Sequence, residues 1–265
     1  MSDPPRLRER RLAFGSVAAQ YDRARPSYPA EVFDTLIEHA DLRPGERVLE
    51  VGAGTGKATR LLLDRGLHVI AVEPDPAMAD LLARNCRGRE LEVVQGDFEG
   101  YKPHERVRLI VSAQAWHWVD HATGFARAHE VLAPEGVLAA IWTVPDWQTT
   151  LLRDALRAAY AAHAPELEPE FPMHPGSGPV GFEPGWREGI DSVAGFGDAC
   201  SIIHRWRADY TAEQYCQLIA THQDHILLEA SRREALLEAI AAAIDRDGGR
   251  VELVYATFLG MARSE

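Results

Sequence analysis

The apolar residues of this chain fall into short, nearly unbroken runs separated by stretches with helical spacing. Val48, Leu49 and Val51 belong to the first run, Val69 to Val72 to the second, Val93 and Val94 to the third, and Leu109 to Val111 to the fourth. A fifth run covers Val137 to Trp142. Runs of this length, rich in β-branched residues and bounded by Gly, Asp or Pro, read as strands buried on both faces. They predict strands over 47–51, 68–73, 91–95, 107–111 and 136–142. A helical pattern separates each from the next, as with Thr59, Leu61, Leu62 and Leu63 after the first. Regular alternation of this kind predicts an α/β fold with a doubly wound, mostly parallel sheet.

Beyond the fifth strand the pattern loosens. Leu151, Leu152, Ala155, Leu156 and Ala159 keep helical spacing and predict a helix from Gln148 to His163. A Pro- and Gly-rich stretch from Pro165 to Gly189 has no clear period, which suits an active-site lid or mobile loop. A sixth strand is expected over 199–206. Thr211 or Asp209 caps the helix that follows, and an Ala- and Leu-rich helix runs from about Ser231 to Ile244. Gly248-Gly249 stops it before a seventh strand over 250–259. Arginines at positions 6–11 suggest a solvated N-terminal helix. The expected organisation is an N-terminal helical segment over 1–45, a binding core over 46–147, a lid insertion over 148–189, and 190–265 completing the sheet.

One junction pairs architecture with chemistry. The first strand, ending in Glu50-Val51, runs into Gly52-Ala53-Gly54-Thr55-Gly56 and then a helix. Glycines let the backbone bend sharply and let a ligand approach where a Cβ would collide. The helix start adds free N–H donors. A phosphate-gripping P-loop would need Gly where Val51 stands and Ser or Thr where Ala58 stands. A dinucleotide fingerprint would need Gly or Ala at position 57, which is lysine.

Gly-x-Gly-x-Gly behind Glu50 instead resembles the first motif of the class I S-adenosylmethionine-dependent methyltransferases, and the resemblance continues in order. The second strand ends in Glu73, 19 residues after Gly54. Pro74-Asp75-Pro76-Ala77-Met78 opens the next helix, and the third strand ends at Gly96-Asp97-Phe98. The resemblance implies S-adenosyl-L-methionine as cofactor. It assigns the ribose hydroxyls to Glu73, the adenine face to Met78 and the adenine amino group to Asp97. Glu50, Gly52, Ala53, Gly54, Thr55, Gly56, Pro74, Gly96, Phe98, Gln114 and Trp116 complete the implied site. In this fold class the last strand inserts antiparallel between the fifth and sixth, giving a seven-stranded Rossmann-like sheet. Tyr21-Asp22-Arg23-Ala24-Arg25-Pro26-Ser27-Tyr28-Pro29 is similar to the opening of small-molecule methyltransferases, including ones resembling trans-aconitate methyltransferase. That likeness folds the segment over the cofactor. Arg25 would then face the methionine carboxylate as a bidentate fork, and Tyr21 or Tyr28 would cover the sulfonium. A purely structural N-terminal cover fits the same residues.

Bulk properties narrow the acceptor. At 265 residues, 46% of them hydrophobic, one domain with an insertion is expected. The net charge of −12 and the presence of only two lysines, Lys57 and Lys102, argue against nucleic acid, whose binding draws on cations at phosphates. Ser112-Ala113-Gln114-Ala115-Trp116 also lacks the Asn/Asp-Pro-Pro-aromatic motif of enzymes that methylate base nitrogens. No apolar run reaches membrane-spanning length and the N-terminus has no signal core, so a cytoplasmic protein is expected. Cys86, Cys200 and Cys216 are scattered and suggest packing, not zinc or a disulfide framework.

Methyl transfer from a sulfonium needs alignment and desolvation, and a base only where the nucleophile holds its proton tightly. His117, just past the fourth strand, is the catalytic candidate, with hydrogen bonding to cofactor or backbone as the alternative role; His121 could substitute. His222 and His225 stand three apart without a third ligand at suitable spacing, so no metal is expected. Trp116, Trp118, Trp142 and Trp147 fall at or beyond the ends of strands four and five, and Trp186 in the expected lid. They suggest a planar or apolar substrate, with two or three serving as core. Arg205 and Arg207 share a face of strand six and could meet a carboxylate. The expected function is methylation of a small molecule, with oxygen favoured over nitrogen or carbon. The rival readings are a catalytically inactive cofactor-binding protein in regulation or assembly, and an NAD-dependent oxidoreductase.

Overall fold

The computed structural model describes residues 15, 17–120, 123–167, 174–175 and 186–265. The expected arginine-rich helix, His121 and most of the Pro/Gly-rich stretch lie outside them.

Among the described residues the strands form one seven-stranded sheet in the order β3-β2-β1-β4-β5-β7-β6. They are β1 Arg47–Val51, β2 His68–Glu73, β3 Leu91–Gln95, β4 Val107–Ala113, β5 Leu132–Pro145, β6 Phe196–Thr211 and β7 Arg250–Ser264. The first five pair in parallel, with Val48 opposite Val69 and Leu49 opposite Ile110. β7 enters antiparallel between β5 and β6, with Ile141 opposite Leu259 and Ile202 opposite Leu259 on its other edge. This is the expected Rossmann-like order with the late antiparallel strand.

The apolar runs become strands because both faces of the sheet are covered. One face carries Val48, Val69, Leu109, Val137 and Leu259 against Phe33, Leu36, Leu62 and Leu82. The other carries Leu49, Ile70, Ile110, Leu138 and Ala140 against Phe98, Phe125, Val131 and Ile190. Burying one such large side chain contributes roughly 1.5–3 kcal/mol. The covering helices are α1 Ala18–Ala24, α2 Ala30–His39, α3 Lys57–Leu63, α4 Pro76–Asn85, α5 Gly124–Val131, α6 Arg153–His163, α7 Trp186–Asp191, α8 Ala212–Ile219, α9 Gln223–Ile226 and α10 Ala230–Arg246. A third core joins α6, α8 and α10 through Leu156, Tyr160, Tyr215, Leu236 and Ile240.

Local signals set the helix starts. Asp75 accepts from the amides of Ala77 and Met78 at 2.9 and 3.1 Å, and Pro76 takes the position whose N–H needs no partner. Thr211, not Asp209, caps α8, and Gln214 returns the bond to complete a capping box.

Three expectations shift. Strands five, six and seven are longer than their apolar runs, because the antiparallel ladder to β7 carries polar residues such as Thr143 and Thr257 along with it. The helix expected from Gln148 begins at Arg153, since Asp146 caps a single turn over Trp147–Thr149 first. Trp186, assigned to the lid, is buried at the start of α7 and packs edge-on against Trp142 at 5.8 Å. Among the described residues no helix is long and apolar enough to cross a membrane.

Candidate functional site

A cavity of about 550 Å³ opens at the carboxyl ends of β1 to β5, where open α/β sheets hold ligands. Its floor is the glycine turn. Gly52, Gly54 and Gly56 have φ of +70°, +58° and +89°, a region that suits glycine. A Cβ at Gly54 would meet nothing within 4 Å, so this stretch of backbone is open, while a Cβ at Gly52 would lie 2.4 Å from Ala115 Cβ. Gly56 points away, toward Leu82, and is not on the wall.

Two acids of the turn behave differently. Glu50 is buried and accepts from the Thr59 hydroxyl at 2.6 Å. Burial, with the nearby Glu73 charge adding to it, pushes its pKa up to about 8 against the bond from Thr59, so the carboxyl is protonated at neutral pH. Glu73 accepts the Gly54 amide on Oε2 at 2.7 Å and the Asp75 amide on Oε1 at 2.9 Å. A carboxylate is acceptor-only, which suits it to hydroxyl donors.

The N-terminal segment is tied to the same turn. Asp22 on α1 accepts from the Thr55 hydroxyl at 2.7 Å and pairs with Arg60 at 3.4 Å, and Lys57 Nζ donates to its carbonyl at 2.7 Å. Burial lowers the Lys57 pKa, against the pull of Asp22. This places Tyr21, Arg25 and Tyr28 on the cavity wall. The Arg25 guanidinium stands 5.1 Å from the Tyr21 ring and donates to Thr221 Oγ1 and O at 2.9 and 3.2 Å.

Ala53, Thr55, Glu73, Pro74, Met78, Gly96, Asp97, Phe98, Gln114 and His117 also line the cavity. Gln114 takes a positive φ of 58° and donates to the Thr143 carbonyl at 2.7 Å, which turns the end of β4 across the opening. His117 is exposed at the rim beside Trp118, ring to ring 4.9 Å. The concave wall crowds its ring and lowers its pKa below the ordinary value, so it is neutral at pH 7.

Trp116, like Gly56, is an implied residue that the cavity does not reach. It is buried beneath the site between Phe98 and Phe125, at 5.9 and 5.3 Å, and not on the wall. Trp147 is core as well, whereas Trp118 and Trp142 reach the cavity. Arg205 and Arg207 lie exposed on the outer strand β6, and Arg207 pairs with Glu252 across the ladder, away from the cavity.

Residues from later in the chain close the wall: Thr143 and Val144 of β5, His222 just before α9 and Gln223 at its start. No sequence motif marks them, since they are carried there by the packing of α8 on α1 and β7. A polar Thr-His-Gln-Asp-His run breaking an apolar helix was the available signal. The third partner missing from the His222 and His225 spacing is Asp224, which lies between them. Ligand atoms of all three fall within 4.8 Å of one another. His225 is already engaged on both sides, by Asp224 at 2.8 Å and the Tyr160 hydroxyl at 2.7 Å.

Residues 48–136 match the family described as Methyltransferase domain. An uncharacterized methyltransferase of Mycobacterium tuberculosis is 40% identical over 147 residues, 56% of this chain and 58% of that protein. The chain thus matches little more than half the length of that curated relative. A protein of Anaeromyxobacter dehalogenans described as a candidate type II methyltransferase superposes with a TM-score of 0.62 at 21% identity, covering 90% of this chain and 97% of its own. A methyltransferase of Geobacter sulfurreducens, solved with S-adenosylhomocysteine, superposes at 0.52 and 15% identity over the full length of both. Residues 48–136 therefore match a methyltransferase-domain family, and the chain shares the fold of these solved methyltransferase structures.

Proposed function

We propose that this chain transfers a methyl group from S-adenosyl-L-methionine to a small-molecule acceptor. The carrying observation is the convergence of the open backbone at Gly54, the Glu73 carboxylate and Asp97 on one cavity, each at the end of a successive strand. The residues fit the cofactor. Glu73 and Asp97 are acceptors suited to its ribose hydroxyls and adenine amino group, Met78 and Phe98 offer apolar contact to a base, and Arg25 offers a guanidinium to a carboxylate. The cofactor supplies an activated methyl group.

The chain's part is to align and to exclude water. Trp118, Trp142, Val119 and Val144 make an apolar wall that favours an organic acceptor over bulk water. His117, neutral at the rim, accepts a proton from a hydroxyl acceptor. Oxygen is favoured as the accepting atom by the family resemblance, and the acidic composition favours a small molecule over nucleic acid. Calorimetry tests the reading: S-adenosylmethionine and S-adenosylhomocysteine should bind and NAD should not. Binding of NAD alone would replace the reading with an oxidoreductase. Cofactor binding without transfer to any member of a panel of phenols, carboxylic acids and amines would favour a regulatory protein.

A further inference from the structure

His222 and Gln223 form a polar part of the cavity wall that is not satisfied from within the chain. His222 is 4% exposed, and neither ring nitrogen has a hydrogen-bond partner. Gln223 Nε2, the next residue's amide nitrogen, is likewise buried without one. Buried polar groups are costly when left unpaired, so adjacent ones on a cavity wall mark a place completed by something bound. Neighbouring groups in the same network are paired: His225 uses both nitrogens, and Thr221 holds Arg25 twice. His222 and Gln223 both line the cavity.

The corner's chemistry is that of a donor set. Whichever tautomer it adopts, His222 presents one N–H, and Gln223 presents an amide NH₂. Arg25 lies within electrostatic reach of the imidazole; burial first, then Arg25 and His225, hold His222 neutral. The same guanidinium opposes a metal cation at His222, Asp224 and His225, although their atoms are close enough to converge on one.

Position separates this corner from the cofactor residues. Arg25 also borders a small cleft with Thr143 of β5 and Tyr255 of β7, so the corner lies toward β5 and β7. Glu73 and Asp97 end β2 and β3, on the opposite flank of the sheet. Trp118, Trp142 and Val144 lie on the wall of the same cavity and supply apolar and aromatic surface.

We propose that His222 and Gln223, beside the Arg25 guanidinium that also faces the cofactor, form the acceptor subsite, and that it takes an anionic oxygen group on an apolar or aromatic body. The assignment rests on the methyl-transfer reading for its biological role, but the anion site can be tested separately. Benzoate is the probe, with phenol as the neutral oxygen control and benzylamine as the cationic one, each titrated calorimetrically into protein saturated with S-adenosylhomocysteine. Benzoate should bind more tightly than phenol, and benzylamine should not bind. His222→Phe and Gln223→Leu should each weaken benzoate at least tenfold and leave S-adenosylhomocysteine affinity within twofold, both variants melting cooperatively.

Unchanged benzoate affinity in both variants overturns the proposal, as does benzylamine or phenol matching benzoate. Absence of benzoate binding while S-adenosylhomocysteine binds overturns it too. Micromolar zinc binding lost in Asp224→Ala would replace it with a metal site. Benzoate held by the corner without any S-adenosylhomocysteine binding would sustain the anion subsite and remove the methyl-donor reading alone.

Discussion

The amide of Gly54 donates to Oε2 of Glu73 at 2.7 Å, so the end of the second strand holds the glycine turn that follows the first. The other oxygen of Glu73 accepts the amide of Asp75, the residue that caps α4. One carboxylate thus fixes the two backbone segments that frame the inner side of the cavity. Glu73→Ala leaves both amides without this acceptor, at about 1–3 kcal/mol for each left buried and unpaired. The expected result is a lower melting temperature together with about tenfold weaker S-adenosylhomocysteine binding by calorimetry. Glu73→Gln should fall between, because its amide nitrogen cannot accept. Unchanged affinity in Glu73→Ala would remove this residue from the cofactor's surroundings.

Glu50 predicts a pH dependence of stability. Its carboxyl binds a proton up to about pH 8 in the folded chain and only to about 4.5 in the unfolded one. Between those values the folded state holds the extra proton, so stability falls as pH rises through that window. Below about 4.5 both states are protonated, and this contribution is fully present. Glu50→Gln keeps the hydrogen-bonding shape without a titrating proton. Melting curves from pH 5 to 9 should decline with pH in the parent chain more steeply than in Glu50→Gln. Parallel declines would show that Glu50 is ionised in the folded protein.

The difference between these acids shows what the residues alone disclose. The doubly wound sheet and the glycine turn were legible because each rests on local pattern, apolar runs, turn glycines and acids at strand ends, whereas the antiparallel last strand followed from the family resemblance. Thr211 was readable as a cap for the same reason. The state of Glu50 was not, since its shift comes from burial and the proximity of Glu73, both set by tertiary packing. Trp116 and Trp186 show the same limit in another form. Their positions, near a strand end for Trp116 and in the expected lid for Trp186, suggested a ligand wall, yet Phe98, Phe125 and Trp142 draw them into the core. His222 and Gln223 reach the cavity from more than 160 residues beyond Gly54, across a fold that no spacing rule spans.

Gly56 separates packing from ligand contact within the turn. Its φ is +89°, and a Cβ there would lie 2.5 Å from Leu82 Cδ1, a fully buried side chain. Gly56→Ala therefore combines left-handed backbone strain, about 1–2 kcal/mol, with overpacking of roughly 1–3 kcal/mol. Thermal denaturation should show a clear loss of stability. Gly54→Ala, where a Cβ meets nothing within 4 Å, carries the backbone strain alone and places its methyl in the open space at the turn. It should therefore destabilise less and weaken S-adenosylhomocysteine binding more. The reverse ranking would place the ligand at Gly56.

His117 supplies the kinetic prediction. Its ring lies at the rim of the cavity, tilted against Trp118, and the wall holds its pKa below 6.5. If it receives the acceptor's proton, the neutral form is the active one. The acid limb of kcat/KM should then lie below pH 6.5, and the rate should be flat toward neutrality on that account. His117→Gln retains hydrogen bonding but cannot take the proton at these pH values. It should lower kcat by about 10²–10⁴-fold, the usual worth of a positioned base, flatten the acid limb, and leave S-adenosylhomocysteine affinity nearly unchanged. A parallel fall in rate and cofactor affinity would identify His117 as a contact to the cofactor. An unaltered rate with the acid limb intact would assign the proton transfer to another group or to solvent, as a carboxylate acceptor with no proton to lose would allow.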